Sequence, residues 1–321
     1  MTTRKPTRPF DFNQAVGQVF LTSDGREFGL RLWFWVTAVI TIAYLIVIPI
    51  VAPSYGLMLE LNWQNMQAVL SGQAPTDYSD EILSINPFVW ATYIFLTFAV
   101  WGGLMAGETA LYRKIFYNIE APRMPLRWGA QEWRTLGAQL LVWIGVFFIY
   151  MLGIILLITL AVMGGVAMSA LLVIIFIPFY ICLLIIFPIR MAPASALSMK
   201  NNRFEFIRAR DVTKGRFWNL CLAALVIIIG GYIATMLVTM ITMWIISGDS
   251  DFMLKLSGFG DENPAVLFDS LSERLRNPLI MAMAILGLIV NVACVSLWML
   301  SLSGLWAYAV NWWSEDAANE S

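Results

Sequence analysis

The chain has 321 residues, of which 60% are hydrophobic and 13% charged, with a formal net charge of −1 and a mean hydropathy of +0.74. An ordinary soluble domain carries about 25% charged residues, so this composition excludes a soluble fold and makes the bilayer the solvent for most of the chain. It also excludes a disordered chain, a collagen-like repeat and a disulfide scaffold.

In chain order, residues 1–31 read as a cytoplasmic approach segment. Phe12, Val16, Val19 and Phe20 fall at i, i+4, i+7 and i+8 of one helical face, the pattern of an amphipathic helix lying in the membrane interface. No short apolar region there ends in a small-residue cleavage site, so no cleavable signal peptide is expected, and the first span serves as a signal anchor. A helix needs about 20 apolar residues to cross a hydrocarbon core, and six stretches qualify: roughly 32–51, 87–111, 136–163, 166–189, 218–246 and 278–309. The expected fold is therefore all-α, a polytopic membrane protein whose transmembrane domain spans 32–309. Gly164-Gly165 divides the longest apolar run and predicts a tight turn between spans three and four.

Between the spans, Leu59, Trp63, Met66 and Leu70 repeat at helical spacing, and Asn263-Pro264 is placed to start a helix carrying Leu267, Leu271 and Leu275. One short helix is expected in each of these two loops. Residues 310–321 read as a cytoplasmic tail whose acidic end, from Glu315 to Ser321, frays.

Orientation follows from the basic residues. The amino-terminal segment and the loop after span two each hold five, and the loop after span four holds seven: Arg190, Lys200, Arg203, Arg208, Arg210, Lys214 and Arg216. Only Lys255, Arg274 and Arg276 fall on the other side, where ten acidic residues oppose them. Both termini are thus predicted to be cytoplasmic, with the basic face turned toward anionic headgroups. Nucleic-acid binding is a poor account of basic residues scattered over short loops beside the membrane.

The six spans read as three hairpins. Arg26 to Trp33, Gln131 to Gly137 and Lys214 to Leu220 each set a basic residue and a Trp at the mouth of an odd-numbered span. Ala110-Leu111 with Lys114 is echoed by Ala196-Leu197 with Lys200. Either the hairpins repeat, or Lys, Arg and Trp simply mark interfaces.

The chain has no histidine, and Cys182, Cys221 and Cys294 all lie inside apolar runs. Imidazole metal ligation and His-based catalysis are excluded, and the cysteines read as small buried hydrophobes. No P-loop, Rossmann fingerprint, GxSxG or HExxH is present. Gly258-Phe-Gly-Asp261 matches the GxGD string of intramembrane aspartyl proteases, but it lies in a loop and no Asp in a span completes a dyad. No catalytic residue, cofactor or metal is expected.

One acidic side chain, Glu108, sits clearly inside a span. A charge deep in a membrane helix costs at least about 2.5–3.5 kcal/mol, so Glu108 needs a partner, water or a proton. Arg190 at the end of span four is the candidate counter-ion by depth, with Arg31 the other. Trp33, Arg113, Lys114, Trp133, Arg134, Arg216 and Trp218 are candidate headgroup or interface contacts. Pro49, Pro178 and Pro188 interrupt or end spans one and four, while Asn291 and the series Thr235, Thr239, Thr242 read as hydrogen bonders between helices. Gly103 to Gly107 forms a GxxxG close-contact motif.

Arg190-Met-Ala-Pro-Ala-Ser-Ala-Leu197, followed by Phe206, Ala209 and Thr213-Lys-Gly-Arg-Phe-Trp218, resembles the membrane domain attached to some bacterial glycerophosphodiester phosphodiesterases, and its stand-alone six-span relatives. The resemblance is specific over about 30 residues. The chain departs from the pattern at Met199-Lys200, where an acidic residue is frequent, and at Ala209, where Ser is common. There is no phosphodiesterase domain, so hydrolase activity does not carry over. What the resemblance implies is a six-span fold in a bacterial inner membrane. The function expected is that of a non-catalytic accessory or scaffold protein whose partners are membrane lipids, another membrane complex or a second copy. The alternative is a transporter or channel for a small or amphiphilic solute, with Glu108 and Arg190 at a cytoplasmic vestibule.

Overall fold

The structure is a computed structural model that describes residues 10–18, 25–71, 87–119, 126, 129–163, 176–248 and 264–318. Within them the fold is helical throughout: α1 Phe12–Gly17, α2 Gly25–Leu70, α3 Pro87–Tyr117, α4 Ala130–Met163, α5 Ile177–Met191, α6 Ala194–Lys200, α7 Ala209–Thr213, α8 Phe217–Ser247, α9 Pro264–Arg274 and α10 Pro278–Ala318. Six helical stretches are long and apolar enough to cross a membrane: Glu27–Ala52, Pro87–Tyr117, Ala130–Leu156, Ile177–Lys200, Phe217–Ser247 and Pro278–Glu315. Every expected span coincides with one of these, except that the first part of span four and the turn at Gly164-Gly165 lie outside the described residues, as do Val19, Phe20 and the GxGD string.

Several boundaries differ from those read in the sequence. The first span and the helix expected in the following loop form one element, the 46-residue α2. At 1.5 Å per residue it is about 70 Å long, more than twice a hydrocarbon core. Pro49 lies within it and does not end it, because a missing N–H removes one rung of the ladder without forcing the chain out of helix where neighbours replace it. Pro188 is likewise inside α5. The second loop helix is present as α9, with Leu267 buried. Residues 310–318, expected as a tail, continue α10, and Val310 and Trp312 are buried.

The ends of α3 and α6 each carry an asparagine in the left-handed region. After α3, Asn118 takes φ 53° and its N–H donates to Lys114 O (3.1 Å); after α6, Asn202 takes φ 52° and Arg203 N–H donates to Ser198 O (3.2 Å). Asn tolerates this left-handed backbone because its short amide side chain bonds locally. Asn118 lies four residues after Lys114 and Asn202 two after Lys200, so the two turns are not in register with the sequence echo.

The chain divides into two compact units. One comprises residues 33–104 and 230–298. Its α2 and α3 meet at Val47, Val51 and Val89, with Met58, Tyr93 and Leu96 packed around them. A Cβ at Gly103 would stand 3.3 Å from Ile40, so the GxxxG motif does mark a close contact at that glycine. Its α8 and α10 press Gly231 against Trp298 and Gly287 against Thr242. Asn291 Nδ2 donates to Thr239 Oγ1 (2.7 Å), and Trp33 Nε1 donates to Ala293 O on α10 (2.8 Å).

The other unit comprises residues 1–32, 105–229 and 299–321. Here α4 lies on α5, with Gly145 against the Phe187 ring and Gly153 against the Tyr180 ring, while Tyr180 Oη donates to Tyr150 O (3.0 Å). Ala138, Ala194 and Ala209 form a small-residue core with Phe206, which lets α4, α6 and α7 approach closely. Nearly all of α6 is buried. By contrast, only 6% of the residues in the apolar window of the α4 span are buried, and Trp143, Phe147 and Phe148 face outward.

Candidate functional site

The polar groups of this second unit converge on Glu108. It lies two turns before the end of α3, and Tyr112, one turn later on the same face, is fully buried beside it. Tyr112 Oη donates to Glu108 Oε1 (2.6 Å), and Ser195 Oγ, presented by α6, donates to the same oxygen (2.7 Å). Tyr112 Oη and Ser195 Oγ are themselves 3.1 Å apart. Gln139 Nε2 of α4 donates to the other carboxylate oxygen, and the Ser303 hydroxyl of α10 also faces the group. Glu108 is 4% exposed. Four helices thus supply neutral donors to one carboxylate, which meets the requirement that a buried polar group be hydrogen-bonded.

The expected ion pair is not formed. No described residue carries a salt bridge to Glu108, and the Arg190 guanidinium lies instead over the Phe217 ring at 5.5 Å from its centroid. Arg31 is half-buried and is not among the groups that contact Glu108. The physical reason is that hydroxyl and amide donors satisfy a carboxylate without bringing a second charge out of water, which carries its own desolvation cost.

Most of the candidate interface residues also turn inward. Arg113 pairs with the buried Glu132 of α4. Lys114 is buried and donates to Asn118 Oδ1 (2.9 Å). Arg216 is buried with its guanidinium 4.2 Å from the Trp312 ring centroid. Trp33 spends its N–H inside the protein, as described above. Trp133 and Trp218 face outward, and Arg134 is half-buried, donating to Asn202 O (3.0 Å) and to its side-chain oxygen.

Other contacts could not be read from the sequence. Lys200 Nζ donates to Asn311 Oδ1 (2.7 Å) and Ser314 Oγ (2.5 Å), tying α6 to the end of α10. Phe10 packs on Tyr308 and Trp312, and Asp11 N–H donates to Tyr308 Oη (3.1 Å), which fastens the short α1 to the same helix. Glu205 is buried and receives both Arg203 and Arg208, while its N–H donates to Ser198 Oγ (3.0 Å). Burial alone would raise its pKa, but hydrogen bonds from Arg203, Asn201 and Arg208 outweigh it and hold the carboxyl below its ordinary range. The i, i+4 spacing of Glu108 and Tyr112 was a readable signal. The partnership with Ser195, 87 residues away, was not.

Among the described residues no His, Cys, Asp or Glu cluster is arranged to hold a metal. The cysteines are free thiols, and Cys182 is exposed on α5 rather than buried as its apolar surroundings suggested. An apolar groove lined by Met58, Trp90, Tyr93, Ile94, Thr97 and Phe98 belongs to the other unit. What the Glu108 cluster does chemically is join α3, α4, α6 and α10. Each carboxylate oxygen already has a side-chain donor. The chain matches no protein-family model, and comparison with curated proteins and with solved structures likewise finds no match.

Proposed function

We propose that this protein is a non-catalytic integral membrane protein that packs with lipids, with another membrane complex or with both, as an accessory or scaffold subunit. The observation that carries the reading is the α4 span, in whose apolar window only 6% of the residues are buried. Its outward-facing residues, Trp143, Phe147 and Phe148 among them, need a lipid or protein neighbour. The inward-turned charges support the same reading, since Glu108, Glu132 and Arg216 are engaged in holding helices together. In this reading the protein lies in a bacterial inner membrane as three hairpins with both termini cytoplasmic. The basic-residue asymmetry supports the orientation. The α2–α3, α4–α5 and α8–α10 contacts support the hairpins. The resemblance over Arg190 to Trp218 supports the setting.

A transporter with Glu108 and Arg190 lining a vestibule draws no comparable support, because Arg190 rests on Phe217 and the Glu108 oxygens are occupied. The deciding experiment is affinity capture of the full chain from native membranes, with proteins and lipids of the same sample identified. A defined membrane partner or a retained lipid class is expected. A monodisperse protein carrying neither would refute the reading.

A further inference from the structure

Residues 201–216 connect the span that ends at Lys200 to the one that begins at Phe217, so this short segment lies at a membrane surface. Its sequence alternates charge and apolar bulk: Arg203, Phe204, Glu205, Phe206, Ile207, Arg208. The structure sorts these residues by burial. The Glu205 side chain is 3% exposed beneath Arg203 and Arg208, which are 64% and 52% exposed. Arg203 Nε donates to Glu205 Oε1, and Arg208 Nη1 donates to both carboxylate oxygens (3.1 and 3.3 Å).

A guanidinium has five N–H donors, and these contacts use only a few of the ten. No other described side chain takes the rest. One buried carboxylate therefore fixes two guanidinium groups side by side with an excess of positive charge and their spare donors outward. The platform beneath is rigid: the backbone turns at Asn202, Tyr117 Oη donates to Met199 O (2.7 Å) and Lys200 O (3.0 Å), and Phe206 is packed in the alanine core. Phe204 and Ile207, beside the two arginines in sequence, are 50% and 80% exposed.

We propose that Arg203 and Arg208, positioned by Glu205, bind the phosphate of an anionic lipid headgroup while Phe204 and Ile207 enter the acyl boundary beneath it. Paired guanidinium groups match phosphate oxygens in geometry and charge. The two exposed apolar side chains select a lipid over a soluble phosphate, which offers them nothing. The proposal rests on the lipid-packing part of the function proposed above, and it assigns that role to a named site.

The test uses the full-length protein in mild detergent, titrated separately with phosphatidylglycerol and phosphatidylcholine, with bound lipid counted by native mass spectrometry. The wild type is expected to prefer phosphatidylglycerol about tenfold or more, the equivalent of one charge-assisted hydrogen bond. Arg203→Gln with Arg208→Gln should abolish that preference. Arg210→Gln with Lys214→Gln, which removes the same charge from the same segment, should leave it within about twofold. If the first pair does not fold, Arg208→Gln alone, which leaves Glu205 with Arg203, should lower the preference while the control pair does not. Equal loss in both pairs would mean diffuse electrostatic attraction and overturn the site. Displacement of the lipid by inorganic phosphate alone would overturn the choice of a lipid. Wild-type binding without preference would refute only the site, whereas no binding of either lipid would refute the lipid-packing reading itself.

Discussion

Glu108→Ala is expected to be among the most damaging single substitutions in the chain. Truncation leaves Tyr112 Oη, Ser195 Oγ and Gln139 Nε2 facing a void where a carboxylate accepted all three. Interhelical hydrogen bonds in membrane proteins average about 0.6 kcal/mol and reach about 1.7, because the unfolded chain in the bilayer also finds partners. Three such bonds to one acceptor therefore give about 2–5 kcal/mol. The Tyr112–Ser195 contact at 3.1 Å survives and keeps the loss toward the lower half. Glu108→Gln keeps an acceptor for Tyr112 and Ser195, but sets its NH₂ against that of Gln139 until the Gln139 amide turns over. It should cost about 1 kcal/mol, and Gln139→Glu in the same chain should recover part of that loss. The assay is reversible unfolding in mixed micelles, with Tyr112→Phe in a double-mutant cycle. A Glu108→Ala cost below about 0.5 kcal/mol, or strict additivity with Tyr112→Phe, would show that the cluster does not act as a unit.

Gly153→Val sets a branched side chain into the Tyr180 ring and should destabilise the α4–α5 pair by about 1–3 kcal/mol, read as a lowered midpoint of thermal aggregation in detergent. Asn291→Leu removes the donor to Thr239 Oγ1 from the other unit and should cost about 0.6–1.7 kcal/mol, with no effect on a Glu108→Ala background beyond addition. The segment around Glu205 should show acid-dependent hydrogen exchange. Because the folded carboxyl lies below its ordinary value near 4.5, its stabilising contribution is complete above that value and is lost as pH falls through the lowered one. Glu205→Gln should remove this dependence, and a loop equally protected at pH 3 and pH 7 in the wild type would contradict it.

What was legible in the sequence depended on the range of the interaction. Hydropathy is a local sum, so the six spans were visible, as were α9 through Asn263-Pro264 and the αα contact at Gly103. Helix ends were less visible: the helical spacing from Leu59 to Leu70 read as a separate loop helix, since Pro49 reads as a break in water and not in a membrane protein, whereas α2 runs unbroken to Leu70. The Glu108 partners were hidden for a different reason. Charge matching favoured Arg190, but depth along a span says nothing about which helix faces turn toward each other, and Ser195 and Gln139 are unremarkable in sequence. For Arg113, Lys114 and Arg216, position at a span end suggested headgroup contact. Arg113 and Arg216 instead meet Glu132 and Trp312, partners that only the folded chain brings near, and Lys114 bonds Asn118 one turn on along its own helix.

The Glu108 cluster also sets an order of assembly in time. Ser195 is made 87 residues after Glu108, which at about 5–20 residues per second is roughly 4–17 s of synthesis. During that interval Glu108 has Tyr112 from its own helix, then Gln139, and only later Ser195 and Ser303. Helix α3 is thus a span whose retention in the bilayer improves stepwise as its successors emerge. Until Gln139 has itself reached the bilayer, α3 should sit where the Glu108 carboxyl still meets water, and the finished chain should hold it in place.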